Sequence, residues 1–133
     1  MTCDLMQGYV EAPLSFGTNL IDFVDAIPAI EDFYDLYVSM PKISNIYGMK
    51  SPHLFLMWFA LKQLSPSVII ESGVYKGLGT WWIERACPEA ELFCINIDFS
   101  NLEYRSKKAH YLDKDISQNE WADIDKQNSI VFF

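Results

Sequence analysis

The sequence predicts an α/β fold built on a mainly parallel sheet. Short apolar runs rich in β-branched or aromatic residues alternate with segments of helical length in the second half of the chain. The run at 68–72 also passes directly into a glycine-rich turn and then into a helix-like segment. Strands separated by helices usually pair in parallel through right-handed crossovers. We expect residues 1–133 to form a single domain, with an N-terminal helical segment at 1–65 and a sheet-forming core at 66–133.

The N-terminal half predicts helices that would cover the faces of this sheet. Residues 19–38 have apolar side chains at helical spacing, but Pro28 lies among them and cannot occupy a helix interior without loss. We therefore expect two short helices, or one kinked helix that breaks near Ala26–Ile27. Ser51-Pro52 is a favourable helix start, and residues 53–64 are apolar on nearly every face, which predicts a buried helix.

The second half predicts four strands and three intervening helices. The first strand lies at the centre of the sheet, and both faces need covering because parallel sheets are buried on both sides. The predicted strands are at 68–72, 92–98, 109–112 and 129–133, and the predicted helices are at 80–86, 100–108 and 118–124.

The charge distribution argues against two classes of partner. The formal net charge is −8, and residues 1–41 hold seven of the 18 acidic residues and no Lys or Arg. An anionic surface repels both nucleic acid and anionic lipid, so we expect neither nucleic acid nor membrane as a partner. The simplest interpretation of the acidic residues is a solvated helix face.

Cysteine usage and hydropathy predict a cytoplasmic location. The three cysteines contain no Cys-x-x-Cys pair, which is typical of unpaired thiols in a reducing compartment. The N-terminus lacks the basic start and apolar block of a secretory signal. The longest uncharged stretch near the middle, Ser51–Leu61, is far shorter than the ~20 residues that a membrane span needs.

Acidic residues lie at or just after the carboxyl ends of three successive predicted strands: Glu71, Asp98 and Asp115. Ligands of open parallel sheets bind at this edge. Asp98 is placed where an acid could accept hydrogen bonds from two ribose hydroxyls. Structural alternatives stay open, because Glu71 could be an internal hydrogen-bond acceptor and the other two could cap the segments that follow them.

The turn after the first strand carries three glycines, Gly73, Gly77 and Gly79. Glycine lets the backbone approach a ligand closely and adopt positive φ. The N–H groups at the start of the helix, near Thr80, could hold an anionic group. Lys76 is the only basic residue of the turn, which favours a ligand with one carboxylate and a positive centre over a pyrophosphate.

The glycine spacing separates this turn from two common nucleotide-binding loops. The pattern is Gly-x-x-x-Gly-x-Gly rather than Gly-x-Gly-x-x-Gly, and no Gly-Lys-Ser/Thr follows. An ATPase-type phosphate loop and a nicotinamide-dependent oxidoreductase are therefore disfavoured. Tyr75 and Lys76 at the tip of the turn either line the ligand pocket or are simply exposed.

Three segments together resemble the motif series of class I S-adenosylmethionine-dependent methyltransferases. They are Glu-Ser-Gly-Val-Tyr-Lys-Gly-Leu-Gly-Thr at 71–80, Asn-Ile-Asp at 96–98 and Leu-Asp-Lys-Asp-Ile at 112–116. The most similar branch has a Glu-x-Gly-x-x-x-Gly loop and includes small O-methyltransferases and cephalosporin-hydroxylase-like proteins. The resemblance covers roughly residues 66–133. It implies a Rossmann-like sheet of strand order 3-2-1-4, S-adenosylmethionine as cofactor, and methyl transfer to a small hydroxylated substrate.

The resemblance also implies roles for individual residues. Glu71 and Gly73 would lie beside the methionine part of the cofactor, and Asp98 would hold the ribose hydroxyls. Asp115 and Ile116 would border the adenine. It assigns no catalytic residue and no metal ligand here, since the transfer needs little beyond alignment of an already activated methyl group.

The chain departs from this family at its C-terminal end. Family members usually continue past the fourth strand, whereas this sequence ends at Phe133, so we expect a truncated relative. The alternative is a non-catalytic fragment or interaction module of the same fold. In the order 3-2-1-4 the apolar strand at 129–133 would be an exposed edge. We expect it to form a homodimer across a two-fold axis or to be covered by the N-terminal segment.

Overall fold

The computed structural model describes residues 14–16, 19–21, 26–44, 46–118 and 128–132. The first described element is an antiparallel hairpin of strands β1 (Leu14–Phe16) and β2 (Asn19–Ile21). Helices α1 (Ala26–Ser39) and α2 (Ser51–Leu64) follow.

The central element is a four-stranded sheet in which every pairing is parallel. Its strands are β3 (Val68–Ser72), β4 (Glu91–Asn96), β5 (His110–Asp113) and β6 (Ser129–Phe132), in the order β5-β4-β3-β6. Helix α3 (Leu78–Ala86) connects β3 to β4. Counted from β3, this is the order 3-2-1-4, so the predicted Rossmann-like α/β fold is confirmed.

The prediction for residues 19–38 is wrong in its first part. Asn19–Ile21 forms β2 rather than helix, and α1 begins at Ala26, where a break was expected. Pro28 is therefore the third residue of the helix. Its missing N–H lies among the first N–H groups of a helix, which have no intrahelical acceptor, and so α1 continues to Ser39.

The helix predicted at 100–108 is also wrong. The described chain between β4 and β5 is an irregular crossover, residues 97–109. It is held by bonds that a helix would not make: Lys108 N and Ala109 N both donate to the Ser106 hydroxyl, at 2.9 and 3.0 Å. The helix predicted at 118–124 lies outside the described residues except for Gln118, which ends a short 3₁₀ turn.

The hydrophobic core lies between α1, α2, α3 and one face of the sheet. Trp58 of α2 and Trp82 of α3 are almost fully buried, together with Ile69 of β3. Phe33 of α1 stacks on Trp82 with ring centroids 4.7 Å apart. On the opposite face Ile70 is buried as well, so β3 is covered on both sides, as expected for a central parallel strand.

Within the described ranges, no helix is long and apolar enough to cross a membrane. The longest, α1 and α2, have 14 residues each.

Candidate functional site

The carboxyl ends of β3, β4 and β5 lie side by side. Gly73 N donates to Ile95 O at 3.0 Å, and Lys114 N donates to Asn96 O at 3.1 Å, so the three strands end at one level. The strand order reverses at β3, since the next strand in sequence, β4, lies on one side and β6 lies on the other. The crevice outside the carboxyl ends at such a reversal is where open α/β sheets bind ligands.

The turn after β3 has the backbone conformation that its glycines allow. Gly73 and Gly77 have φ of 83° and 89°, and the Gly77 N–H donates to Val74 O at 3.0 Å to close the turn. Tyr75, which is not a glycine, also has positive φ, at 49°. A left-handed conformation at a tyrosine costs about 1–2 kcal/mol, so the surrounding contacts must hold the turn in this shape.

Two of the three glycines make room for the chain itself. A Cβ at Gly77 would overlap the carbonyl oxygen of Tyr104, and a Cβ at Gly79 would overlap Oε1 of Glu71. At Gly73, by contrast, nothing lies within 4 Å of the position of a Cβ. The open space for a ligand is therefore beside Gly73, and the predicted ligand contacts of Gly77 and Gly79 stay predictions.

Glu71 points under the start of α3 rather than out of the crevice. It is only 7% exposed, and its Oε2 accepts a hydrogen bond from Thr80 Oγ1 at 2.5 Å and faces the Cys94 thiol at 3.6 Å. Burial raises the pKa of Glu71 to about 7, against the opposing effect of hydrogen bonds from the Thr80 side chain, Cys94 and the Thr80 N–H. A carboxylate near the positive end of the helix dipole is a favourable arrangement.

This geometry supports the structural alternative for Glu71. Its carboxyl group accepts hydrogen bonds from the Thr80 hydroxyl and from the Thr80 N–H, and that N–H was predicted to hold an anionic group of a ligand. The roles of Glu71 and Thr80 in ligand binding therefore stay predictions, while their contact with each other is observed.

Asp98 and Asp115 are both exposed and both close local turns. Asp98 accepts hydrogen bonds from Ser100 N at 2.8 Å and Ser100 Oγ at 2.7 Å, and Asp115 accepts from Ser117 N at 2.8 Å and Ser117 Oγ at 2.5 Å. These bonds hold the pKa of each carboxyl below its ordinary value, so both are ionised at neutral pH. Carboxylate oxygens have further lone pairs, so both remain able to accept ligand hydroxyls. Ile116 follows at the edge, partly buried.

Lys76 is paired with a residue that the sequence did not indicate. Its Nζ lies 2.5 Å from Oε1 of Glu103, and this hydrogen bond raises the pKa of Lys76. The main-chain oxygen of Lys76 also accepts from Glu103 N at 3.1 Å and Tyr104 N at 3.0 Å. Tyr75 is partly exposed beside it, with Lys76 Nζ 5.6 Å from the ring centroid.

The crossover that carries Glu103 is fastened to α3 as well. Tyr104 Oη donates to Oε2 of Glu84 at 2.5 Å, and Ser106 Oγ donates to Oε1 of the same side chain at 2.6 Å. These contacts were missed because a helix was predicted at residues 100–108. The segment has few apolar residues and no sustained helical spacing, and that absence was the available signal.

One motif of nicotinamide-dependent reductases, Tyr-x-x-x-Lys, occurs in the crossover at Tyr104 and Lys108. Its two side chains are used elsewhere: Tyr104 donates to Glu84, and Lys108 Nζ donates to Pro88 O at 3.3 Å. These partners are on α3 and just after it, away from the turn that begins at Gly73. The spacing therefore does not form a catalytic pair at the crevice.

A surface cavity of about 240 Å³ lies between the start of α1 and the end of α2. It is remote from the carboxyl edge, because the end of α2 leads into the amino end of β3. The strand ends, where open α/β sheets bind their ligands, remain the better candidate. The cavity is lined by Pro28, Ala29, Asp32, Phe59, Lys62 and Gln63. In the part of the chain that the structure describes, no three His, Cys, Asp or Glu side chains are placed to hold a metal ion.

No protein-family model and no curated protein matches the chain. Two solved structures are similar to part of it. One is the O-methyltransferase TomG from Streptomyces achromogenes, involved in tomaymycin synthesis and solved in complex with S-adenosylmethionine; it is 19% identical, with 58% of this chain and 33% of that chain covered and a TM-score of 0.38. The other is the apo-structure of CmcI-N160, 15% identical, with 80% of this chain and 47% of that chain covered and a TM-score of 0.46.

This chain thus spans less than half the length of either solved structure. Its own topology shows the fold: an all-parallel order β5-β4-β3-β6 with a glycine-rich turn directly after β3. The fold is Rossmann-like.

Proposed function

We propose that this chain binds S-adenosylmethionine and is a methyltransferase-like protein acting on a small hydroxylated substrate. The observation that carries the proposal is the open space at Gly73, located where the strand order reverses and beside strands that are followed by Asp98 and Asp115. An open glycine at the same sheet edge as two ionised carboxylates suits a nucleoside with a positive centre.

The residues at this edge match the parts of such a ligand. Asp98 would accept hydrogen bonds from the ribose hydroxyls, and Asp115 and Ile116 would border the adenine. The methionine part would lie along the main chain from Gly73 to Tyr75. A cationic sulfonium is attracted to an acidic protein, and the net charge here is −8.

The protein would contribute alignment more than acid–base chemistry. When bound, S-adenosylmethionine supplies a methyl group that is already activated for transfer, so placing an acceptor oxygen in line with it provides most of the effect. The open turn at Gly73 and the carboxylate of Asp98 would fix the ligand for that approach. No described side chain is assigned as a base for the acceptor proton.

A second candidate is a binding module of the same fold that does not catalyse transfer. Glu71 has a pKa raised to about 7, but its carboxyl group is buried beneath α3 and accepts a hydrogen bond from Thr80, so it does not face a substrate. This observation favours ligand binding as the primary property and leaves transfer as the further step to be tested.

Isothermal titration calorimetry with S-adenosylmethionine and with S-adenosylhomocysteine, its demethylated product, tests the proposal. We expect saturable binding, weakened about tenfold by Asp98→Asn because hydrogen bonds to a charged acceptor are lost. Glu89→Gln, a change at an exposed acid in the turn before β4, is the matched control. Absence of both heat and thermal shift at millimolar ligand would refute the proposal, and binding without methyl transfer would support the binding module.

We also propose that two copies associate through β6. Among the described strands, β6 is at the edge of the sheet with β3 as its neighbour, and Val131 is 42% exposed. Exposed apolar edge strands tend to pair with another chain. Light scattering at micromolar concentration should show a dimer that Val131→Lys dissociates; a soluble monomer of the unaltered chain would refute this.

A further inference from the structure

Glu103 connects two segments that are distant from it in sequence. One carboxylate oxygen, Oε1, pairs with Lys76 Nζ at 2.5 Å, and the other, Oε2, accepts a hydrogen bond from Ser44 N at 2.8 Å. Lys76 is at the tip of the glycine-rich turn. Ser44 is in the connector between α1 and α2, of which residues 40–44 and 46–50 are described. A single side chain therefore joins the turn to the connector.

The connector lies at the same edge of the molecule as the candidate site. Helix α2 ends just before β3 begins, so the start of α2 and the connector before it are at the carboxyl end of the sheet. The bond from Ser44 to Glu103 confirms this position, because Glu103 also contacts the turn. Near Ser44, the connector exposes two large side chains, Ile46 at 70% and Tyr47 at 87%.

Exposed aromatic and aliphatic side chains beside a crevice are suited to contact the flat face of a ligand ring. We infer that Glu103 is a positioning residue that holds the connector as a side wall of the ligand crevice, with Tyr47 and Ile46 as the apolar surface of that wall. The ligand part of this inference rests on the function proposed above. The mechanical part, which is the link between Ser44 and Lys76 through Glu103, does not.

The contacts of Glu103 suit a fixed link. Both oxygens are used, and the hydrogen bond from Lys76 is the main cause that lowers the pKa of Glu103, so the carboxylate remains charged at neutral pH. Charge-assisted bonds are shorter and stronger than neutral ones. The backbone around it is also fixed, since Glu103 N and Tyr104 N donate to Lys76 O.

The mechanical part is tested by amide hydrogen exchange measured by NMR on the full chain without ligand. Glu103→Ala should speed exchange of the Ser44 amide about tenfold, because its acceptor is removed. Glu103→Gln should restore most of the protection, since its carbonyl oxygen can still accept, and Glu89→Ala should leave Ser44 unchanged. Equal Ser44 exchange in Glu103→Ala and the unaltered chain would overturn the inference.

The wall is tested by calorimetry with S-adenosylhomocysteine. Glu103→Ala and Tyr47→Ala should each weaken binding about fivefold to tenfold, and the double variant should be little weaker than either, because both changes remove one wall. Their melting midpoints should stay within about 2 °C of the unaltered chain. Unchanged affinity in both variants would overturn the wall while leaving the proposed function intact. If the unaltered chain binds no ligand, the proposed function and the wall fail together, and the Ser44 exchange still decides the mechanical link.

Discussion

Glu71→Gln should gain stability relative to the unaltered chain as the pH rises. Burial raises the pKa of Glu71 from its ordinary value of 4.5 to about 7. Between these two values the folded protein keeps a proton on Glu71 that the unfolded chain has lost. Folding stability therefore decreases as pH rises through this window, since the folded state binds more protons.

The size of the effect follows from the two pKa values. Each pH unit between 4.5 and about 7 lowers the free energy of unfolding by about 1.4 kcal/mol, which gives a total loss on the order of 3 kcal/mol. The stabilisation by the protonated form is complete below pH 4.5 and is lost once the pH passes 7. Gln has nearly the same shape and no titrating proton, so Glu71→Gln removes this pH dependence.

Urea unfolding followed by tryptophan fluorescence at pH 4.5, 6 and 8 measures it, because Trp58 and Trp82 become exposed on unfolding. The difference in the free energy of unfolding between Glu71→Gln and the unaltered chain should grow by about 3 kcal/mol from pH 4.5 to 8. Glu89→Gln, a change at an exposed acid, is the matched control. A difference that stays constant with pH, or that grows as the pH falls, would refute the reasoning, because it would mean that folding does not favour the protonated carboxyl.

Three further predictions concern the turn, the crossover and the buried thiol. Gly77→Ala should destabilise the fold by about 3 kcal/mol, because Gly77 has positive φ and its new Cβ would also meet a carbonyl oxygen of the crossover. Gly73→Ala should destabilise it by only about 1–2 kcal/mol, because positive φ is the single obstacle there. Equal urea midpoints for the two variants would contradict this. Ser106→Ala should lower the free energy of unfolding by about 2 kcal/mol in the same assay, because it removes a buried hydroxyl that donates to Glu84 and accepts from two N–H groups. A decrease under about 0.5 kcal/mol would contradict a stabilising role for these bonds. Cys94 should resist iodoacetamide at pH 8 until urea unfolds the chain, because it is fully buried and burial raises its pKa; modification of the folded protein, detected by mass spectrometry, would show that the strand opens.

Much of the α/β core could be predicted from local pattern. Apolar runs of strand length marked β3 and β4 to within two residues, and the glycines marked the turn. Pro28 correctly signalled a helix boundary nearby, although it lies just inside the new helix rather than between two helices. Parallel pairing was expected from the predicted alternation of strands and helices, whereas the strand order 3-2-1-4 was implied by the resemblance.

The candidate site was less predictable because side-chain partners depend on contacts distant in sequence. The strand-end position of Glu71 was visible, but its orientation beneath α3 depends on which face of β3 the helix covers. Lys76 was expected to line the ligand pocket or to be exposed, and its pairing was missed because its partner, Glu103, belongs to a segment interpreted as a helix.

The sequence by itself determined that a buried strand passes through a glycine-rich turn into a helix, since hydrophobic spacing and glycine conformational freedom are properties of neighbouring residues. Only the tertiary structure decided what that turn contacts. Glu71 beneath Gly79, the Tyr104 carbonyl against Gly77, and Glu103 between Lys76 and Ser44 are all meetings of distant segments. No local periodicity encodes them, because they arise only when the packed sheet and helices bring those segments together.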